Sequence, residues 1–275
     1  MAAPPGNRPL IMGVLNVTPD SFFDGGCYLD PVEAVARGRQ MVAEGADLVD
    51  VGGESSRPGA EPVDEAEELR RVMPVVEALA ADVRVSVDTA KPAVAVAAVA
   101  AGATLVNDIS GALWPVAAEH GVGWVAMHMR GTPRDMQRDP RYENVVAEVH
   151  GAVLAAARKA LAAGVPEVWV DPGIGFGKTA AHNLVLLAHL AELAAAAGPV
   201  GAGVLVGTSR KSFLGRLGRA GPEGQELRPV EDRLEESLAT VTWALTQGAG
   251  MVRVHDVAAT VMAAALAGRG EPVAA

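Results

Sequence analysis

The sequence predicts an α/β fold, a single-domain (β/α)8 TIM barrel over residues 1–275, on three observations. Eight short apolar runs recur along the chain, an Ala-rich helical stretch follows most of them, and nearly every run ends in polar or charged side chains. Near-continuous apolar runs mark strands buried on both faces, as in a parallel sheet. A chain of 275 residues has the length such a barrel needs. An open doubly wound sheet is the alternative, but it concentrates its polar groups after two or three strands, at a switch point. Hydrophobic residues make up 50% of the chain and aromatics only 4%, so the core is built from Ala, Val and Leu.

The elements follow in order. The run Leu10–Leu15 precedes a helix over Pro31–Glu44, with Asp30 as N-cap and Pro31 at the first helical position. Asp47–Val51 precedes Asp64–Ala80, whose acidic first turn suits the helix dipole. Val83–Val87 leads to Pro92–Ala101, and Thr104–Val106 to a short segment, Trp114–His120, with the weakest helical signal of the set. Gly123–Met127 leads to Tyr142–Ala163, Glu167–Val170 to Ala180–Ala197, Val204–Val206 to Pro229–Gln247, and Met251–Val254 to Val257–Ala267. Gly45, Gly102, Gly164 and Gly248 stand where helices should stop. Residues 1–9 and 268–275 read as frayed ends.

The net charge is −10 and the pI about 5.1, with no basic tract, which argues against a nucleic-acid partner. The single cysteine, Cys27, excludes an internal disulfide and a multi-Cys metal site. No apolar stretch approaches the roughly 20 residues that span a bilayer. The opening MAAPPGNRPL lacks the apolar core of a signal peptide. The expectation is a cytoplasmic protein with no membrane partner.

The strand ends carry the chemistry. In turn they read Asn16–Asp20, Gly52–Gly59, Asp88-Thr89, Asn107-Asp108, His128, Asp171–Lys178, Gly207–Lys211 and Arg253–Asp256. In a barrel these converge on one rim, where barrel active sites lie. Capping of the next helix explains a lone Asp88, Ser110 or Asp256, but not Arg, Lys, His and Asn gathered at eight ends. Asp88, Asn107 and Asp171 supply fixed acceptors and one amide, suited to a flat heterocycle with an amidine-like edge. Lys211, Arg253, Arg57 and His255 supply donors for an anion such as a phosphate. The segment Gly173–Lys178 (GIGFGK) lacks the G-x-x-x-x-G-K-[ST] spacing of a nucleotide-binding loop, and there is no H-E-x-x-H metal motif.

The segments NVTPDSFFDGG (16–26), GGESSRPG (52–59), VSVDT (85–89), VNDIS (106–110), DPGIGFGK (171–178), SRK (209–211) and RVHD (253–256) together resemble the signature segments of the dihydropteroate synthases, a pterin-binding family. The resemblance spans nearly the whole chain, in order. It implies condensation of (7,8-dihydropterin-6-yl)methyl diphosphate with 4-aminobenzoate to 7,8-dihydropteroate and diphosphate, in folate biosynthesis. It implies that Ser56, Asp88, Asn107, Asp171 and Lys211 hold the pterin, with Asp88 and Lys211 as catalytic groups. Asn16, Arg253 and His255 would grip the diphosphate, with Asn16 also at a Mg2+ site. Phe22, Arg57, Pro58, Lys211 and Ser212 would form the aminobenzoate pocket, through mobile loops around residues 17–28 and 55–64. The small-molecule substrates and a homodimer are the implied partners, and the last two helices are a candidate dimer surface. Ser56 stands where the family often has Thr, and Phe23 where it usually has a small polar residue.

Two rivals share part of this pattern. A folate-dependent methyltransferase would keep Asp88, Asn107 and Asp171 without needing the NVTPDSF, ESSRPG and SRK segments. A non-catalytic pterin-binding paralogue should show damaged loops, and these are intact. Elsewhere, His128 is either a ligand contact or a satisfied rim histidine, and Met127 packs against the ring or the core. His120, His150, His182 and His189 read as surface residues. Lys178 reads as a structural loop residue, and Trp114, Trp124, Trp169 and Trp243 as packing residues. Arg210 faces outward or binds the rim backbone.

Overall fold

The computed structural model describes residues 8–18, 30–57, 59–216 and 228–267. Phe22, Phe23, Cys27 and Pro58 lie outside the described residues, as do both chain ends and most of the first loop.

Eight parallel strands close into a barrel in sequence order. They are β1 (Leu10–Asn16), β2 (Leu48–Gly52), β3 (Arg84–Asp88), β4 (Leu105–Asp108), β5 (Gly123–Met127), β6 (Val168–Asp171), β7 (Gly203–Val206) and β8 (Met251–Val254). The barrel is sealed where β1 pairs with β8, Leu10 opposite Met251. The helices between them are α1 (Pro31–Ala43), α2 (Glu65–Leu79), α3 (Pro92–Ala100), α4 (Trp114–His120), α5 (Val145–Ala162), α6 (Ala180–Ala188), α7 (Leu190–Ala197), α8 (Leu234–Thr246) and α9 (Val257–Leu266). The predicted barrel is therefore correct, with all eight runs as strands, and the open sheet is excluded.

Local chemistry explains the boundaries. The Asp30 carboxylate accepts from Val32 N–H to open α1, and Asp64 accepts from Glu67 N–H to open α2. Gly45, Gly102, Gly164 and Gly248 all have φ between 93° and 109°, the left-handed region in which glycine ends a helix at least cost. Three predicted helices differ in extent. The Tyr142–Ala163 segment turns helical only at Val145, because Asn144 caps Ala147 N–H. The segment Pro229–Gln247 begins as a 3-10 turn over Val230–Asp232, and α8 starts at Leu234. The Ala180–Ala197 stretch is broken at His189, and its two halves are bent by 55°. No single helix among the described residues is long and apolar enough to cross a membrane.

Strand alternation sorts the side chains into two cores. One face of each strand packs against the helices, as Ile11, Val49, Val87, Val106 and Val170 do. The other face fills the lumen with Met12, Leu48, Leu105, Val125, Trp169, Leu205 and Met251, nearly all fully buried. Two residues further along each strand, the same inward face reaches the barrel mouth. Leu48 is followed by Asp50, Leu105 by Asn107, Trp169 by Asp171 and Met251 by Arg253. The apolar plug is thus roofed by a polar layer at its C-terminal end.

Candidate active site

The roof layer forms one connected cluster. Asp50, fully buried in β2, accepts from Asn107 Nδ2 at 2.8 Å and from Arg253 Nε at 2.6 Å, both through Oδ2. Arg253 also gives Nη2 to Asp88 Oδ2 at 2.6 Å. Its Nη1 makes no hydrogen bond among the described residues. The strand register puts Gly52 beside Asp88, and Asp88 opposite Asn107. At Gly52 a side chain would meet Asp88 Cβ at 3.3 Å and come within 3.7 Å of Asn16 Oδ1, so the glycine keeps room between these two strand ends. Asn107 has no ambiguity of orientation, because its carboxylate partner only accepts. The amide nitrogen faces Asp50 and the amide oxygen is left as an acceptor.

Asp171, at the end of β6, accepts from Gly173 N–H through Oδ1 at 2.7 Å. Lys211, in the loop after β7, donates Nζ to Ile174 O and lies 4.5 Å from the centroid of the Phe176 ring. Gly207 lies beside that ammonium: a Cβ there would be in ordinary contact with Nζ at 3.9 Å. His255, after β8, donates its backbone N–H to Ser209 Oγ at 3.2 Å, and its Nδ1 lies 3.1 Å from the same oxygen. Since that hydroxyl already accepts from the backbone, its own proton can go to Nδ1, which leaves Nε2–H as a donor. Ser56 is half-buried and lines, with Asp88, Ile109 and Arg134, a cavity of about 270 Å³. Arg57 and Ser212 are exposed.

Burial governs the charges. It pushes the Asp88 carboxyl up to about 7, against the pull of Arg253. Asp171 is raised by burial too, with Lys211 opposing. Burial lowers the Lys211 ammonium to about 8, while Asp171 supports it. For Arg253 burial works against the charge, but Asp50 and Asp88 outweigh it and keep the guanidinium protonated. Burial, then Arg210 and Arg253, hold His255 well below the usual imidazole range, so it is neutral. The result is a desolvated, partly acidic floor with cations at its edge, able to hold a planar donor-rich ring and an anion side by side.

The cluster brings Asp88, Asn107, Asp171, Lys211 and Arg253 together as the sequence predicts, with Asn16 and His255 on the same rim. It also contains Asp50, which the sequence reading passed over. The available signal was a charged residue inside the apolar run DLVDV, on the inward face with Leu48. Other readings are corrected. His150 is buried on α5, not on the surface. Trp243 is 48% exposed, although its indole N–H donates to Leu187 O at 2.8 Å. Arg210 does not face outward: its side chain is 11% exposed and its Nε donates to Asp256 Oδ2 at 2.8 Å. It adopts φ 60°, a strained turn that carries the chain from Ser209 to Lys211. His128 is the satisfied rim histidine, bonded through Nδ1 to Lys178 Nζ at 3.0 Å.

Residues 12–255 match the family model described as pterin binding enzyme. The dihydropteroate synthase of Mycobacterium leprae is 49% identical to this chain, over 94% of this chain and 92% of its own length. Among solved structures, the Yersinia pestis dihydropteroate synthase with a sulfonamide drug complex superposes with a TM-score of 0.86 at 42% identity, covering 97% of each chain. The Xanthomonas albilineans dihydropteroate synthase with 4-aminobenzoic acid gives 0.82 at 46% identity, over 94% of this chain and 92% of that one.

Proposed function

The chain belongs to the pterin-binding enzyme family, among its dihydropteroate synthases, and from that premise we propose how its barrel mouth works. It is a transferase of folate biosynthesis that joins (7,8-dihydropterin-6-yl)methyl diphosphate to 4-aminobenzoate, giving 7,8-dihydropteroate and diphosphate. The observation that carries the site assignment is the convergence of Asp88, Asn107, Asp171, Lys211 and Arg253, from five separate strand ends, on one desolvated cluster.

In this reading the pterin lies on the polar roof. Asp171 offers Oδ2, since Oδ1 is engaged by Gly173, and accepts from the ring N–H and exocyclic amine. Asn107 presents its amide oxygen and Asp88 its Oδ1 to the same ring. Lys211 leaves Ile174 O to donate to the ring carbonyl. Arg253 Nη1, the neutral His255 Nε2–H and Asn16 take the diphosphate. As the C–O bond breaks, positive charge develops on the pterin methylene, and the carboxylates of Asp50, Asp88 and Asp171 stabilise it in a low-dielectric site. The neutral aniline nitrogen then attacks the methylene to form the C–N bond, and the anilinium passes its proton to the departing diphosphate or to water, so no strong base is needed. Ser56 would border the pterin, and Arg57 and Ser212 the aminobenzoate, along with Phe22 and Pro58.

Mg2+ fits this donor set. Among the described residues there is no group of three or more His, Cys, Asp and Glu that would cage a metal. Mg2+ keeps several waters and binds through one or two protein oxygens plus substrate phosphates, which Asn16 and the diphosphate supply. When bound, it would neutralise charge on the leaving group.

A homodimer and a cytoplasmic location belong to the same reading. Leu184 and Val185 on α6, Trp243 on α8, and Met262 and Leu266 on α9 are exposed by 41–88% on neighbouring helices. Exposed apolar side chains of this kind, gathered on neighbouring helices, suit a second copy.

The deciding experiment measures diphosphate release with and without 4-aminobenzoate and Mg2+. Release that depends on aminobenzoate supports the assignment. No release under any condition would leave a pterin-binding protein without this chemistry.

A further inference from the structure

Lys178 closes the segment Asp171–Lys178 and takes no part in the chemistry above, yet its side chain is 2% exposed. Its Nζ lies 2.9 Å from Gly173 O, 3.0 Å from Phe176 O, 3.1 Å from His128 O and 3.0 Å from His128 Nδ1. One cation therefore gathers carbonyls from two neighbouring rim loops, β5–α5 and β6–α6. A buried lysine is tolerated only where such acceptors compensate its lost hydration. Nδ1 can accept from an ammonium only if the imidazole is neutral, and burial together with the Lys178 charge lowers His128 to about 4. Burial also lowers Lys178 itself to about 7, with Asp171 opposing.

The two loops are pressed together at the backbone. A Cβ on Gly173 would stand 1.9 Å from His128 O, and one on Gly177 2.3 Å from Arg130 O. Further links run the same way: Tyr142 donates its hydroxyl to Gly177 O at 2.9 Å, and Gln137 Nε2 donates to Gly175 O at 2.6 Å.

The segment so fixed also sets the site. Gly173 N–H holds Asp171 Oδ1, Ile174 O holds Lys211 Nζ, and the Phe176 ring lies against that ammonium. Gly175 packs on the Lys211 stem, since a Cβ there would come within 3.0 Å of Cδ. Each of these contacts comes from residues 173–176, the stretch whose first and last carbonyls Lys178 holds.

We propose that Lys178 is a positioning residue for pterin handling: its ammonium locks residues 173–176 against the β5–α5 loop and so holds Asp171 and Lys211 in register with the ring. The proposal rests on the function assigned above. It requires Lys178 to act through Asp171 and Lys211, on the pterin and not on the aminobenzoate.

The test compares the intact enzyme with Lys178→Met, Lys211→Ala and the double variant, measuring affinity for the pterin diphosphate by calorimetry and both KM values. Lys178→Met should weaken pterin affinity by about tenfold, leaving the KM for 4-aminobenzoate within about twofold. In the double variant the loss should fall short of the sum of the two single losses, because Lys178 acts in part through Lys211. Wild-type pterin affinity in folded Lys178→Met, additive losses, or equal losses for both substrates would overturn the proposal. If the Met variant does not fold, Lys178→Gln keeps a neutral donor and should show the same split at about threefold, and unaltered pterin affinity there is likewise fatal. Calorimetry does not depend on turnover, so a failed wild-type reaction counts against the proposed function and not against this inference.

Discussion

Arg253 Nη2 stands 2.6 Å from Asp88 Oδ2, so the cation assigned to the leaving group is also tied to a carboxylate assigned to the ring. With Nε on Asp50, the guanidinium spends one edge inside the barrel and offers the other to the diphosphate. Arg253→Ala should then harm both halves of the substrate. Loss of diphosphate affinity should be larger, and the pterin loss should follow from an unpaired Asp88, within a total of about 2–5 kcal/mol. Calorimetry with inorganic diphosphate and with a pterin lacking it separates the two, and an unchanged diphosphate affinity would remove Arg253 from the leaving-group site.

Asp50 tests the polar roof. Asp50→Ala leaves Arg253 and Asn107 without their buried acceptor and should cost about 3–5 kcal/mol of stability. Asp50→Asn keeps an oxygen for both donors but removes the charge, so it should fold better while losing turnover. Urea unfolding and kcat together decide this: Asp50→Asn with full turnover would show that its charge does nothing for the reaction.

The contrast between Asp50 and its neighbours shows what was legible in the sequence. The barrel was readable because eight apolar runs alternate with capped helices, and because Gly45, Gly102, Gly164 and Gly248 mark the stops. Asp88, Asn107 and Asp171 were visible because each directly follows an apolar run, where polar residues stand out, and Lys211 and Arg253 because they belong to the recognisable SRK and RVHD segments. Asp50 lies inside a run, and the lumen it faces exists only once the sheet closes. His150 was misread for a related reason: its place on the inner side of α5 follows from helix phase. The break at His189 was hidden, since Ala-rich sequence on both sides is equally helical.

The pH profile follows from two buried groups. Asp88 must be ionised to accept from the ring, and burial sets it near 7. Lys211 must be protonated to donate, and burial sets it near 8. The kcat/KM for the pterin diphosphate should rise as pH passes Asp88 and fall as it passes Lys211. Stability has its own sign. Asp88 sits above its ordinary 3.8, so its contribution is full at lower pH and is lost as pH rises towards 7. Lys211 sits below its ordinary 10.5, so its burial penalty is relieved as pH rises beyond 8. Initial rates across this range check the first statement, and a flat profile from about pH 6 to about pH 9 would contradict it.

Two glycines should respond oppositely to alanine. At Gly173, φ is 64° and a Cβ would strike His128 O, so Gly173→Ala should destabilise by about 2 kcal/mol or more. At Gly151, exposed within α5, a Cβ meets nothing within 4 Å, so Gly151→Ala should stabilise by roughly 1 kcal/mol. Thermal melts of the two variants give the sign directly. A neutral Gly173→Ala would mean that the two rim loops move apart easily, against the packing seen around Lys178.

The face across α6, α8 and α9 supports the last prediction. Trp243 is 48% exposed while its N–H donates to Leu187 O on α6, so the ring is anchored at its polar edge and half open to solvent. An aromatic anchor with a satisfied polar edge is what the centre of an interface requires. Trp243→Glu would place a charge on the exposed face of α8, at a residue that takes no part in the strand-end cluster. Light scattering should then give the mass of one chain for the variant and of two for the parent. Two chains for both would move the dimer contact elsewhere, and one chain for both would leave this apolar face without a second copy.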